Sequence, residues 1–106
     1  MSIFNIFARK DINEGVKSFR ESKNAILLDV RTREEYASRH SEDSRNLLLD
    51  EIDTVDSVIT DKNTPLYVHC LSGGRSARAA AYLKSKGYRE VHDIGGIGSY
   101  RGKFVI

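Results

Sequence analysis

Apolar residues along the chain fall into short blocks of two periods, and the two kinds of block alternate. Ile12, Val16 and Phe19 recur at helical spacing behind Asp11, an N-cap candidate with Glu14 three residues on, which predicts a helix ending near Asn24. Gly15 weakens that helix without excluding it. Ala25 to Val30 is instead a nearly continuous apolar run of strand length, the pattern of a strand covered on both faces and central in a sheet. Thr32 and Glu35 make a capping-box pair opening a short helix through about Arg39, with Arg31 and Glu35 near enough in sequence to form an ion pair. A short strand is expected over Asn46 to Leu49, then a helix capped by Asp50 with Ile52, Val55 and Ile59 on one face. Asp61 to Pro65 reads as a turn, since Pro65 suits the head of a strand, and Leu66 to His69 as the strand that follows. The alanine-rich run from Ser76 predicts a helix with Ala79, Ala80 and Leu83 inward, ended by Gly87, with Tyr88 placed for the apolar contact that follows a glycine C-cap. Val91 to Ile94 is the last predicted strand, and Ile3, Phe4, Ile6 and Phe7 open the chain as an edge strand or a plug over the core.

This alternation defines an α/β class: a central, mostly parallel sheet with helices on both faces. A chain of 106 residues is read as one domain, 1–106, large enough for a core without disulfides or a structural metal. Lys and Arg number 17 against 15 Asp and Glu, a net charge of +2 with no basic tract, so no nucleic-acid partner is expected. The single cysteine excludes an internal disulfide and any multi-cysteine metal site and suits a reducing compartment, with the cytoplasm as the expectation. Ser2 to Ala8 lacks the basic flank and cleavage pattern of a signal peptide, and no stretch is long enough to span a membrane. A monomer is expected.

The candidate chemistry lies at Tyr67 to Ser76, YVHCLSGGRS, where an apolar run ends in Cys70 and a glycine-rich loop closes on Arg75 before a helix start at Ser76. Cys70 to Arg75 is expected to be a tight strand-to-helix loop. Gly73 and Gly74 permit backbone angles that turn successive N–H groups of Leu71, Ser72, Gly73 and Gly74 toward one point, where the helix N-terminus adds positive potential. The anion at that point is the Cys70 thiolate, since a free thiol ionises near ~8.5 and amide donors and a guanidinium both favour the charged form.

The Cys-x4-Arg loop resembles the active-site loop of rhodanese-like (sulfurtransferase) domains. Further positions fit the same resemblance: Asp29, Val30 and Arg31, then Glu35 and Tyr36, then His40, and later the Gly95–Gly96 pair with Tyr100 where the family carries tryptophan. The resemblance runs from about Ala25 to Gly102. It implies that Asp29, Arg31, Glu35 and His40 brace the fold beneath the loop, and that Cys70 takes the outer sulfur of a small anionic donor such as thiosulfate, becomes a persulfide and passes the sulfur to cyanide, a small thiol or a partner protein's cysteine. The acceptor must be external because the chain has no second cysteine. Two departures stand out. Ser41, Glu42, Asp43 and Ser44 replace the family's rigid proline turn with an acidic one expected on the surface, and Leu71 sits where many members carry arginine, which removes an anion contact at the mouth.

Arg75 has two readings, a guanidinium aimed at the donor's oxyanion or a helix-start residue paired with a carboxylate such as Glu35. His69 is a poor general base, because a strand residue points away from its neighbour Cys70. His40 and His92 have no ligand spacing, and neither metal nor cofactor is proposed. Beside a turnover sulfurtransferase stand a persulfide carrier or docking module for a partner protein and, less favoured, a cysteine phosphatase or arsenate reductase. Phosphatase relatives of this fold carry one more residue between cysteine and arginine, so the four-residue spacing favours sulfur.

Overall fold

The computed structural model describes residues 10–106, so the apolar opening at Ile3 to Phe7 lies outside the described residues. In chain order the elements are α1 (Ile12–Glu21), β1 (Ile26–Asp29), α2 (Arg33–Ser38), β2 (His40–Ser41), β3 (Ser44–Asn46), a 3₁₀ segment (Leu49–Thr54), α3 (Val55–Val58), β4 (Leu66–Cys70), α4 (Gly74–Ser85), β5 (Val91–Gly96), a 3₁₀ turn (Ile97–Ser99) and β6 (Phe104–Val105). Strands β3, β1, β4 and β5 form a parallel four-stranded sheet in that order, and β2 pairs with β6 in a separate antiparallel ribbon.

The period-2 rule sorts the two central strands between two cores. Leu28 and Val30 in and after β1, with Leu66, Val68 and Cys70 of β4, face a core closed by Ala79, Ala80 and Leu83 of α4 and by Ile52, Val55 and Ile59. Leu27 and Tyr67 point the other way, onto Ile12 and Val16 of α1, with Ile94 and Ile97. Helices therefore cover both faces, the α/β class that the alternating blocks predict. Cys70 belongs to the α4 face and His69 to the α1 face, so the strand itself separates the two side chains.

Several elements differ from expectation. The strand expected at Asn46 to Leu49 is instead Ser44–Asn46: Leu47 and Leu49 still donate to the carbonyls of Asp29 and Val30, but the ladder with β1 ends at Asn46. Asp50 caps nothing: the segment begins as a 3₁₀ turn behind Leu48 and becomes α-helical only for Val55–Val58. Asp11 does cap α1 but through the N–H of Asn13, with no capping box, and the helix stops at Glu21. Val91–Gly96 is not the last strand, since Phe104 and Val105 return to pair with Ser41 and His40. Two expectations hold in detail. Thr32 and Glu35 form the full capping box, and α4 ends in a Schellman arrangement in which the N–H groups of Tyr88 and Gly87 donate to the carbonyls of Leu83 and Lys84.

The acidic turn after His40 is only partly a surface feature. Ser41 and Ser44 are buried, with the Ser44 hydroxyl donating to the Ser41 carbonyl at 2.8 Å and the Tyr36 hydroxyl donating to the Ser44 carbonyl. Asp43 takes the left-handed φ of 70° that an acidic or amide side chain tolerates, and Glu42 and Asp43 turn outward onto Arg20 and Lys103. Proline's rigidity is thus replaced by hydrogen bonds and ion pairs to α1 and the C-terminal segment.

Gly15 has a packing role that its helix propensity hides. A Cβ built there overlaps the Ile94 side chain, so α1 reaches the sheet only because position 15 has none. Gly15→Ala gains up to about 1 kcal/mol in helix propensity and loses about 1–3 kcal/mol to overpacking, so the urea midpoint should fall. A raised midpoint would show that α1 does not pack as described.

Candidate functional site

β4 is buried along its whole length and delivers Cys70 to the carboxyl end of the sheet. The turn that follows is shorter than the sequence suggests. Only Leu71, Ser72 and Gly73 lie between strand and helix, because Gly74, Arg75 and Ser76 already form the first turn of α4. Gly73 makes this possible. It is the N-cap of α4 with φ 110° and ψ −19°, a backbone conformation costing a residue with a Cβ about 1–3 kcal/mol, and its N–H donates to Cys70 Sγ at 3.0 Å.

Cys70 is 1% exposed, and beside its loop opens a cleft of about 600 Å³ lined by Lys10, Leu71, Ser72, Gly73 and, across the opening, Gly95, Gly96, Gly98 and Ser99. The second glycine-rich segment is structural support for the first. A Cβ on Gly96 would overlap the Leu71 carbonyl, and the Gly98 N–H donates to that carbonyl at 3.2 Å, so β5 and its 3₁₀ turn hold the outer side of the reactive loop. Burial pushes the Cys70 thiol up. Hydrogen bonds from the Ser76 hydroxyl and from the N–H groups of Ser76, Gly73 and Ser72 more than offset this, and the net shift is downward, toward thiolate.

Arg75 points at Glu35. Its two terminal nitrogens donate to the two carboxylate oxygens at 2.6 and 3.0 Å, and the pair, with the Thr32 capping box, lowers the Glu35 carboxyl to about 2. The ion pair expected between Arg31 and Glu35 is absent. Arg31 instead binds Asp29 at 2.8–3.0 Å, both groups buried, and donates to the Arg39 carbonyl at 2.9 Å. Of the four residues expected beneath the loop, Glu35 alone reaches it, through Arg75. Asp29 and Arg31 tie the end of β1 to the end of α2, and His40 stacks on Tyr36 at 3.8 Å with Nδ1 2.9 Å from the Tyr36 carbonyl, away from the sulfur. Asn46 belongs to the Asp29–Arg31 brace although nothing in its sequence context marks it: its Nδ2 donates to both their carbonyls at 3.0 Å. Tyr100 meets Phe104 edge to face at 5.4 Å, filling the tryptophan position with an aromatic pair. Among the described residues no cluster of His, Cys, Asp or Glu has metal-binding geometry, and no helix is long and apolar enough to cross a membrane.

A rhodanese-like domain model matches residues 13–103, beginning a helix earlier than the motif-bearing stretch. The chain belongs to the rhodanese-like family, and at family level it is a sulfurtransferase-type domain. It is 35% identical over 86 residues to a thiosulfate sulfurtransferase GlpE of Ectopseudomonas mendocina, covering 78% of this chain and 76% of the relative. It is also 35% identical over 89 residues to an adenylyltransferase and sulfurtransferase uba4 of Ogataea parapolymorpha, 83% of this chain but only 23% of that longer protein. Among solved structures, a rhodanese with anions from Escherichia coli superposes with a TM-score of 0.70 at 29% identity, covering 76% of this chain and 96% of the other.

Two pH dependences follow from the geometry. His69 is wholly buried, with Nε2 3.5 Å from the Ser41 hydroxyl and Nδ1 without a partner among the described residues, and burial lowers its pKa. A His neutral in the fold but ordinary when unfolded, near ~6.5, makes the unfolded state bind the extra proton, so its contribution is constant above that pH and stability falls as pH drops below it. Chemical denaturation between pH 7 and 5 should show this loss, and His69→Leu should flatten the slope; an unchanged slope would place the loss elsewhere. For Cys70, alkylation rate against pH should inflect below the free-thiol value of ~8.5. An inflection at or above it would remove the case for an anion-holding loop.

Proposed function

We propose that Cys70 is the nucleophile of a sulfurtransferase that carries one sulfane sulfur as a persulfide. The observation supporting it most is the Gly73 N–H at 3.0 Å from Sγ, at the end of a turn of only three residues between strand and helix. In the first step the Cys70 thiolate attacks the outer sulfur of a donor such as thiosulfate. The Sγ–S bond forms as the donor's S–S bond breaks, and sulfite leaves with the electron pair. In the second, an external thiolate or cyanide attacks the outer persulfide sulfur and Cys70 leaves as thiolate, giving a new persulfide or thiocyanate. No redox co-reactant is needed, and the preoriented amides stabilise the anion at both ends of the cycle.

A second reading, a carrier that exchanges sulfur only with a partner protein, is favoured by the mouth of the cleft. Leu71 is 47% exposed there, and Arg75 is engaged by Glu35, which leaves a small dianion less to bind. A phosphoryl group needs donors for three equatorial oxygens and more room than this turn leaves, so hydrolysis of an aryl phosphate should be negligible.

Incubation with thiosulfate should raise the intact mass by one sulfur atom, reversed by a thiol reductant, and Cys70→Ser should gain nothing. Catalytic release of thiocyanate on adding cyanide marks an enzyme, whereas loading without turnover marks a carrier. A reductant-sensitive gain in the Cys70→Ser protein, or ready aryl phosphate hydrolysis without sulfur loading, would overturn the proposal.

A further inference from the structure

The Ser76 hydroxyl is surrounded by acceptors and has one proton. Its oxygen lies 2.8 Å from Asp93 Oδ1, 3.1 Å from the Gly73 carbonyl, 3.5 Å from the Gly95 carbonyl and 3.6 Å from Cys70 Sγ. The hydrogen bond to the carboxylate is the shortest and the only charge-assisted one while Cys70 is a thiol. Ser76 then offers the sulfur a lone pair, and the thiol S–H donates to it. When Cys70 ionises, that arrangement sets a lone pair against an anion, so the hydroxyl must turn its proton from Asp93 to Sγ.

Asp93 is placed for this by an irregularity in β5. The pairing with β4 shifts by one residue between Val68 and His69, so Asp93 stands opposite Val68 on the α4 face while Gly95, with φ 97°, stands opposite His69. The Gly95 N–H donates to Asp93 Oδ1 at 3.1 Å, fixing the carboxylate with that oxygen toward Ser76, and Lys10 Nζ lies 4.0 Å from the other oxygen.

We infer that Asp93 is a positioning residue for the nucleophile: it competes with Cys70 for the Ser76 hydroxyl proton and so sets how readily the thiolate forms. Resting on the reading of Cys70 as the sulfur carrier, the same competition matches the two states of the cycle. The free thiolate claims the proton. In the persulfide the negative charge sits on the outer sulfur, Sγ no longer needs the donor, and the hydroxyl returns to Asp93. The other charges around Cys70 are already engaged: Arg75 of α4 with Glu35 of α2, and Asp29 of β1 with Arg31, while Lys10 faces Asp93.

Alkylation of Cys70 against pH tests this without requiring sulfur transfer, so the inference and the sulfurtransferase reading fail separately. Asp93→Asn keeps an acceptor oxygen for Gly95 and Ser76 but removes the charge that holds the proton, and the inflection should fall by about one pH unit, an approximately ten-fold faster reaction below it. In a Ser76→Ala background the same change should shift the inflection by less than a third as much. Thermal melts accompany each variant, and Asp93→Ser serves in the same cycle if Asn does not fold. An inflection unmoved by removal of the Asp93 charge would overturn the inference. So would a shift of equal size with and without the Ser76 hydroxyl, which is what a through-space charge alone produces.

Discussion

The Gly73 peptide joins strand, helix and the Cys70 sulfur. Its N–H donates to Cys70 Sγ at 3.0 Å, and its carbonyl accepts from the Ala77 N–H at 3.1 Å, so one residue closes the turn, starts α4 and holds the sulfur. All three depend on a φ of 110°. Nothing lies within 4 Å of the position a Gly73 Cβ would take, so the requirement is one of backbone conformation rather than of space. The opposite holds at Gly96, where a Cβ would strike the loop backbone. Gly73 and Gly96 thus serve one site for different reasons, the first to turn the chain and the second to let β5 lie against it.

That turn is only as fixed as its surroundings. β4 is buried between β1 and β5, its alternate residues anchored in two cores, and α4 is pressed onto the sheet through Ser76, Ala79, Ala80 and Leu83. Arg75 and Glu35 form a further tie, a bidentate pair joining the first turn of α4 to that of α2. The pair holds the loop in place from outside, whereas the amides and Ser76 act on the sulfur from within. An arginine at the end of such a loop therefore has structural work here, and the cleft beside the loop is lined by Lys10, Leu71, Ser72, Ser99 and glycine backbone rather than by Arg75.

Much of this was legible from residue order. The buried strand at Ala25 to Val30, the capping box at Thr32 and Glu35, the cysteine at a strand's end and the alanine face of α4 are local patterns, and local patterns survive folding. What could not be read depends on pairing between distant segments. The ribbon of β2 and β6 is two residues a side and has no periodicity to detect. Sequence proximity paired Arg31 with Glu35, but the buried Asp29 at the end of β1 takes it, and the partner of Arg75 lies 40 residues away, beyond the reach of any local pattern. Asp93 gave no signal at all, since alternation along Val91 to Ile94 says nothing of a bulge that sets its carboxylate beside Ser76.

Loop amides aimed at Cys70 favour its thiolate, and the Gly73 amide reports on it directly. In a pH titration followed by NMR, its proton resonance should move downfield with a midpoint below the free-thiol value of ~8.5, coincident with the rise of ultraviolet thiolate absorbance, and should stay flat in Cys70→Ser. A Gly73 resonance that does not move while the thiol ionises, or that moves equally without the sulfur, would contradict the account.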